Sequence, residues 1–198
     1  MLLQFQYKTL PGTVLNRQEV DGLSGLSFLR HLFIGTDGVM MATIRNISGI
    51  DTSTLQNWVK RGWVANSTQR HYNMEQVAHI LIINMLRSCM QLEHIAFIIR
   101  YINGDVADTS DDIIADSALY DYICRILDNM EKQGVCDLDT VRNIVKKVIS
   151  DYREPIAGAK GRLERALEVI VTTHCAATVK EHADRLLADM TDRQTGSR

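Results

Sequence analysis

The sequence predicts a mostly α-helical protein, and three observations carry that prediction. Only 2 Pro and 12 Gly occur in 198 residues, too few breaks for the frequent turns of a sheet-rich chain. Between them, apolar residues recur at the i, i+3, i+4 spacing of a helix face rather than in strict alternation. Hydrophobic residues make up 45% of the chain and charged residues 23%, which suffices for one or two small cores and excludes wholesale disorder.

Along the chain, residues 1–36 carry the weakest pattern. Pro11-Gly12 marks a turn, and Ser24 to Phe33 reads as a short helix with Leu26, Leu29 and Phe33 on one face. Asp37 is placed to cap a helix that runs toward Ile47 until Ser48-Gly49 interrupts it. Asp51 or Thr52 caps the next helix, in which Leu55, Trp58 and Val59 share a face and Gly62 supplies the left-handed residue that ends it. A polar connector, Asn66 to His71, leads into an apolar helix from Asn73 to about Ser88, with Val77, Ile80, Leu81, Asn84 and Met85 in one stripe. Leu92, Ile95, Ala96, Ile99 and Ile102 define a further helix that Asn103-Gly104 stops. Beyond the linker Asp105 to Asp112, three more helices are expected: Ile113 to Lys132, Leu138 to Tyr152, and Pro155 to about Met190. Pro155 suits the first turn of the last one, and Thr191 to Arg198 reads as a frayed tail.

Charge is balanced overall, with 22 Lys and Arg against 24 Asp and Glu and a formal net charge of −2, so no global positive field points to a polyanion. It is unevenly distributed. Residues 1–103 hold nine basic and six acidic side chains, net +3, whereas residues 104–198 hold 13 and 18, net −5. This asymmetry suggests two units, mildly basic to residue 103 and acidic from 104 to 198; with the weakly patterned extension (1–36) set apart, the chain is read as 1–36, 37–103 and 104–198. The longest apolar stretches, Val77 to Leu86 and Leu92 to Ile99, are much shorter than the roughly 20 residues of a membrane span. No export signal opens the chain. Cys89, Cys124, Cys136 and Cys175 are scattered without a C-x-x-C pair, which fits reduced thiols rather than disulfides or a zinc knuckle. A cytoplasmic location with no membrane partner is expected.

The segment from Ile47 to Val64 places two short helices around a Gly-containing turn, which is helix-turn-helix geometry. Its second helix buries Leu55, Trp58 and Val59 and presents Ser53, Thr54, Gln56, Asn57, Lys60 and Arg61. Gln and Asn can bond a base edge twice, and hydroxyls, Lys and Arg suit phosphates. Each residue also has a plainer role. Trp58 and Trp63 are either core packing or stacking platforms for single strands, and Lys60 and Arg61 either meet phosphates or solvate a helix end favoured by its dipole.

Leu55 to Gly62 with Trp63-Val64, followed by Arg70, Tyr72 and the Val77 helix, resembles the MerR-type winged helix-turn-helix. Asn57 to Gly62, Ala78 to Asn84 and Asp112 to Ile126 resemble more narrowly an uncharacterised bacterial family of MerR-like domains carrying only a domain-of-unknown-function label, DUF1836. The resemblance spans roughly residues 10–130. It implies a MerR-like winged helix-turn-helix over 37–103 followed by a C-terminal helical unit, with Lys60, Arg61 and Arg70 at phosphates. It also implies Tyr72 supporting the wing or touching the DNA backbone, and Gln56 and Asn57 nearest base edges. Two departures reduce the set: Gln56 stands where the family usually has Arg, and Ala65-Asn66 replaces the usual wing Pro.

Weaker signals complete the reading. Asp105, Asp108, Asp111, Asp112, Asp116 and Asp121 form an acidic run that lacks the spacing of a Ca²⁺ loop and reads as linker solvation and helix N-terminal charge. Cys124, Cys136, Cys175, His174 and His182 would be the sensing residues if metal or oxidant were sensed, but buried structural thiols are favoured. No phosphate loop, H-E-x-x-H, G-x-S-x-G or paired-carboxylate motif is present, so no catalytic residue, metal or cofactor is assigned. The expected function is a transcriptional regulator whose partners are double-stranded DNA and a second copy of the chain. Its rival is a protein-interaction module on the same scaffold that does not bind DNA. Leu163, Ala166, Leu167, Ile170, Val171 and His174, extended by Leu186, Leu187 and Met190, are the expected dimer stripe, the alternative being that the stripe packs only against Ile113 to Ile149 of the same chain.

Overall fold

A computed structural model describes residues 7–104, 110–134 and 137–195, with side chains described as far as Thr191. Helices dominate them. They are α1 (Gly25–Leu32), α2 (Met41–Ser48), α3 (Thr52–Lys60), α4 (Met74–Leu86), α5 (Leu92–Asn103), α6 (Asp116–Gln133), α7 (Leu138–Val148) and α8 (Ala159–Thr195), with a 3-10 turn at Ile149–Asp151. Two short strands, β1 (Val39–Met40) and β2 (His71–Tyr72), pair antiparallel, Val39 opposite Tyr72 and Met40 opposite His71.

α4 is the axis of the fold. Asn73 and Gln76 form a reciprocal capping box at its start, each side chain accepting from the other's backbone N–H. The expected stripe is buried apart from half-buried Asn84, but so are Ala78, His79, Ile82, Ile83 and Leu86. α2, α5, α6, α8 and α1 all pack against α4, so it is apolar nearly all round rather than amphipathic. Asn84 is accommodated because its Nδ2 donates to the carbonyls of Gly12 and Ser48, both at 2.9 Å.

The buried side chains form one cluster that crosses both expected boundaries, at 36/37 and at 103/104. The extension is fastened to α6: the buried Tyr120 hydroxyl donates to the Pro11 carbonyl at 2.8 Å, and Arg17 bridges Asp128 and Glu131. Asp121 of α6 accepts the Leu26 N–H at 2.8 Å, satisfying a donor at the open end of α1. The buried side chains of α1 are Phe28 and Leu29, beside buried Gly25, whereas Leu26 and Phe33, just past its end, are only half-buried.

Three expected boundaries are corrected. Asp37 caps no helix, because residues 39–40 are drawn into an extended pair with β2 and α2 begins only at Met41, after an N-cap without a side-chain bond. Pro155 precedes the last helix rather than opening it. Gly158 at φ +85° breaks the path, and the Glu154 carboxylate accepts the Lys160 N–H at 3.0 Å near the true start of α8. That helix also continues to Thr195, through part of the expected tail.

The expected dimer stripe is corrected as well. Leu163, Ala166, Leu167, Ile170 and Val171 are buried in their own chain, where α8 packs on α4, α5, α6 and α7. From Val179 to Thr191 every side chain of α8 is exposed, Leu186, Leu187 and Met190 included. No helix among the described residues is long and apolar enough to cross a membrane.

Candidate nucleic-acid interface

α3 is positioned by its own sequence. Leu55 and Trp58 are 0% and 1% exposed and fix its inner face, with Val59 half-buried beside them. At the start, Asp51 accepts the Thr54 N–H at 2.8 Å. The end is closed by Gly62 at φ +72°, whose N–H donates to Val59 while the Trp63 N–H donates to Trp58 at 2.9 Å, the paired bonds of a Schellman cap. Gln56, Asn57, Lys60 and Arg61 are therefore left exposed.

The connector to α4 contains a tight reversal. Thr68 and His71 exchange both backbone hydrogen bonds, at 2.9 and 3.0 Å, and Gln69 and Arg70 between them have φ of +50° and +66°. Two consecutive left-handed residues are the requirement of a primed two-residue hairpin turn, and the turn holds the Arg70 side chain in solvent. Tyr72 is 2% exposed and takes no outward position. Of its two expected roles only the support of the turn from beneath is compatible with that burial.

Charges around α3 are less open than the composition implies. Asp51 receives the Ser53 and Thr54 hydroxyls as well as the Thr54 N–H, and these bonds hold its carboxyl far below the usual carboxylate range. Ser53 and Thr54 are thus occupied donors beside a fixed negative charge. Arg61 lies 3.6 Å from Glu93 on α5 and over the Trp63 ring at 5.0 Å. Among the described residues no carboxylate pairs with Lys60 or Arg70. The structure leaves Gln56, Asn57, Lys60 and Arg70 as the open members of the expected set.

Residues 37–123 match the family model described as Domain of unknown function (DUF1836). The match opens just before β1 and ends inside α6, so it takes in the elements just described and the first two turns of α6. A protein of Bacillus subtilis (strain 168) described as Uncharacterized protein YkrK is 28% identical over 99 residues, covering 48% of this chain. The aligned stretch covers 42% of that protein, so this chain spans under half of the relative's length. No solved structure matches.

Within the matched residues 37–123 lies a polar junction that sequence reasoning missed. His79 on α4 is 5% exposed. Its Nδ1 is 2.9 Å from the Asp116 carboxylate at the start of α6, and its Nε2 is 2.8 Å from the Trp63 carbonyl just beyond α3. The Trp63 carbonyl and an ionised Asp116 can only accept, so both bonds form together when the ring is protonated, as an imidazolium. Burial alone pulls the His79 pKa down, but the bond to Asp116, that carboxylate's charge and the Trp63 carbonyl hold it above its ordinary value. One turn away, Glu75 accepts the Ser117 N–H and hydroxyl, each at 2.7 Å. α6 has Ala115 at its own cap position, and Glu75 supplies the missing acceptor from the neighbouring helix. The only sequence signal for this junction was a histidine and a glutamate i, i+4 apart on a helix otherwise fit for a core.

The secondary candidates are dispersed. Burial pushes the Cys124 thiol up to about 12, which removes its thiolate. Cys175 is buried whereas His182, two turns on, is exposed, so they do not face one site. Among the described residues no group of three or more His, Cys, Asp or Glu is placed to hold a metal ion. In the acidic run, Asp116 and Asp121 serve His79 and α1, and Asp105, Asp108 and Cys136 lie outside the described residues.

Proposed function

We propose that this chain is a DNA-binding transcriptional regulator of MerR-like winged helix-turn-helix type. α2 and α3 form the helix-turn-helix, and the Thr68 to His71 turn forms the wing. The observations that support this reading most are the exposed row of Gln56, Asn57 and Lys60 on a capped helix and a tight turn that displays Arg70. Lys60 and Arg70 supply phosphate contacts, and Gln56 and Asn57 reach base edges. Arg61 engages phosphate only by leaving Glu93, and Ser53 and Thr54 contribute only if they release Asp51. With so few cations a single copy binds weakly. The test is selection from a pool of random duplexes: a recovered sequence motif supports the reading, and a pool unchanged after successive rounds removes it.

The rival reading, a protein-interaction module, is favoured by the same two tied-up groups, the Arg61–Glu93 pair and the Asp51 carboxylate at the start of α3. It predicts no duplex affinity at any salt concentration.

Dimerisation belongs to the proposal, with its surface moved. The exposed end of α8 presents Val179, Leu186, Leu187 and Met190, and 179, 186, 187 and 190 fall on one helical face. Pairing two copies there doubles the cation count and lets two α3 helices address one duplex. Light scattering at micromolar concentration is expected to give twice the 22.4 kDa of the chain, and Leu186→Glu with Leu187→Glu is expected to halve that mass without unfolding the core. A parent mass of 22.4 kDa contradicts the dimer.

A further inference from the structure

A pocket of about 210 Å³ opens beside the end of α3, walled by α4 and α5. Its lining is mixed: Ile83, Ile95, Ile99 and the half-buried Trp63 share it with nearly as much polar surface. His79 forms part of the floor and Arg100 stands at the edge. A cavity of about 150 Å³ suffices for benzene, so this one has room for a single ring and a short polar group.

The charges at the pocket select the sign of that group. The His79 imidazolium is matched by Asp116, and Arg61 at the Trp63 ring is matched by Glu93 at 3.6 Å. Arg100 is exposed, and among the described residues it has no carboxylate partner. A cavity with aliphatic and aromatic walls, lined also by a guanidinium that no carboxylate among the described residues pairs, suits a carboxylate, which a guanidinium can hold through two parallel N–H···O bonds.

We propose that this pocket binds a small aromatic or branched-chain carboxylic acid, its apolar body between Trp63 and the α4 and α5 isoleucines and its carboxylate on Arg100. Gly62 and Trp63, which close α3, form part of the wall. Occupancy therefore braces the end of the helix that carries Lys60. This regulatory consequence rests on the DNA-binding reading. The binding itself does not, and it is measured on the free protein without nucleic acid.

The probe is phenylacetate, titrated into the full chain while the indole N–H resonances of the two tryptophans are followed by NMR. A saturable shift of the Trp63 signal is expected with half-saturation on the order of 1 mM, typical for so small a ligand. Phenylacetamide, which has the shape without the charge, is expected to bind at least tenfold more weakly. Arg100→Gln changes an exposed side chain and leaves the fold intact; it is expected to remove that difference. Ala96→Leu fills the cavity and is expected to abolish both titrations. Absence of a saturable Trp63 shift overturns the site. Equal affinity for acid and amide, or an affinity unaltered by Arg100→Gln, overturns the carboxylate assignment.

Discussion

Replacing Trp58 with Ala lowers stability by about 3–5 kcal/mol, the range for removing a large aromatic side chain from a packed interior. Trp58 is 1% exposed and belongs to the same cluster as Leu55, Val77 and Leu81, and the Arg87 guanidinium covers its ring at 5.8 Å. Its carbonyl also accepts the Trp63 N–H that closes α3, so the cavity left by the substitution lies directly beneath the exposed row of that helix. The measurement is the chemical-denaturation midpoint at unchanged slope. A variant as stable as the parent that had lost duplex binding would instead make Trp58 a surface contact.

Replacing Asp116 with Ala leaves the His79 imidazolium buried without its counter-charge, and breaking a buried pair in this way typically costs 3–5 kcal/mol. The Asp116 side chain is 20% exposed, which places the expected loss near the lower end, at about 3 kcal/mol. The pH dependence has a definite sign. The folded pKa of His79 lies above its ordinary value of 6.5, so its contribution is complete below the unfolded pKa and is lost as the pH rises through the folded one. Thermal melts of parent and variant are therefore expected to differ most on the acid side of 6.5 and to converge as the pH rises above it. His79→Gln, which cannot take up the charge, is expected to remove the dependence in that window. A parent that gained stability as the pH rose above 6.5 would contradict the charged ring.

Features set by local chemistry were legible in the sequence. Of the two caps expected for α3, Asp51 or Thr52, Asp51 is the one used; the helix expected to start at Asn73 does so, with Asn73 as its cap; and Gly62 adopts the left-handed conformation that ends α3, because a cap depends on residues within one turn of it. Asp37 failed for the opposite reason. Its segment is recruited by a partner at residues 71–72, and a two-residue strand has no period to detect. The α8 stripe was correctly seen as apolar, but an apolar face carries no label for whether its own chain or a second copy covers it. At the candidate site, spacing alone found the exposed row on α3. It could not reveal that Glu93, more than thirty positions along the sequence, meets Arg61, or that Trp63 and Asp116 converge on His79 from 16 and 37 positions away. Glu75 and His79, one turn apart on an apolar helix, were the only trace of that junction.

The central claim is that Lys60 and Arg70 meet phosphate. The direct test is a salt titration of duplex binding, followed by fluorescence anisotropy, for the parent and for Lys60→Glu with Arg70→Glu. Both side chains are exposed and unpaired among the described residues, so the double reversal should leave the melting temperature unchanged. Each phosphate contact contributes about −0.9 to the slope of log affinity against log salt. The parent is expected to bind with a slope of at least about −2 per copy from these two contacts, and the variant to show no measurable binding. Parent and variant binding alike, with the same slope, would contradict the account.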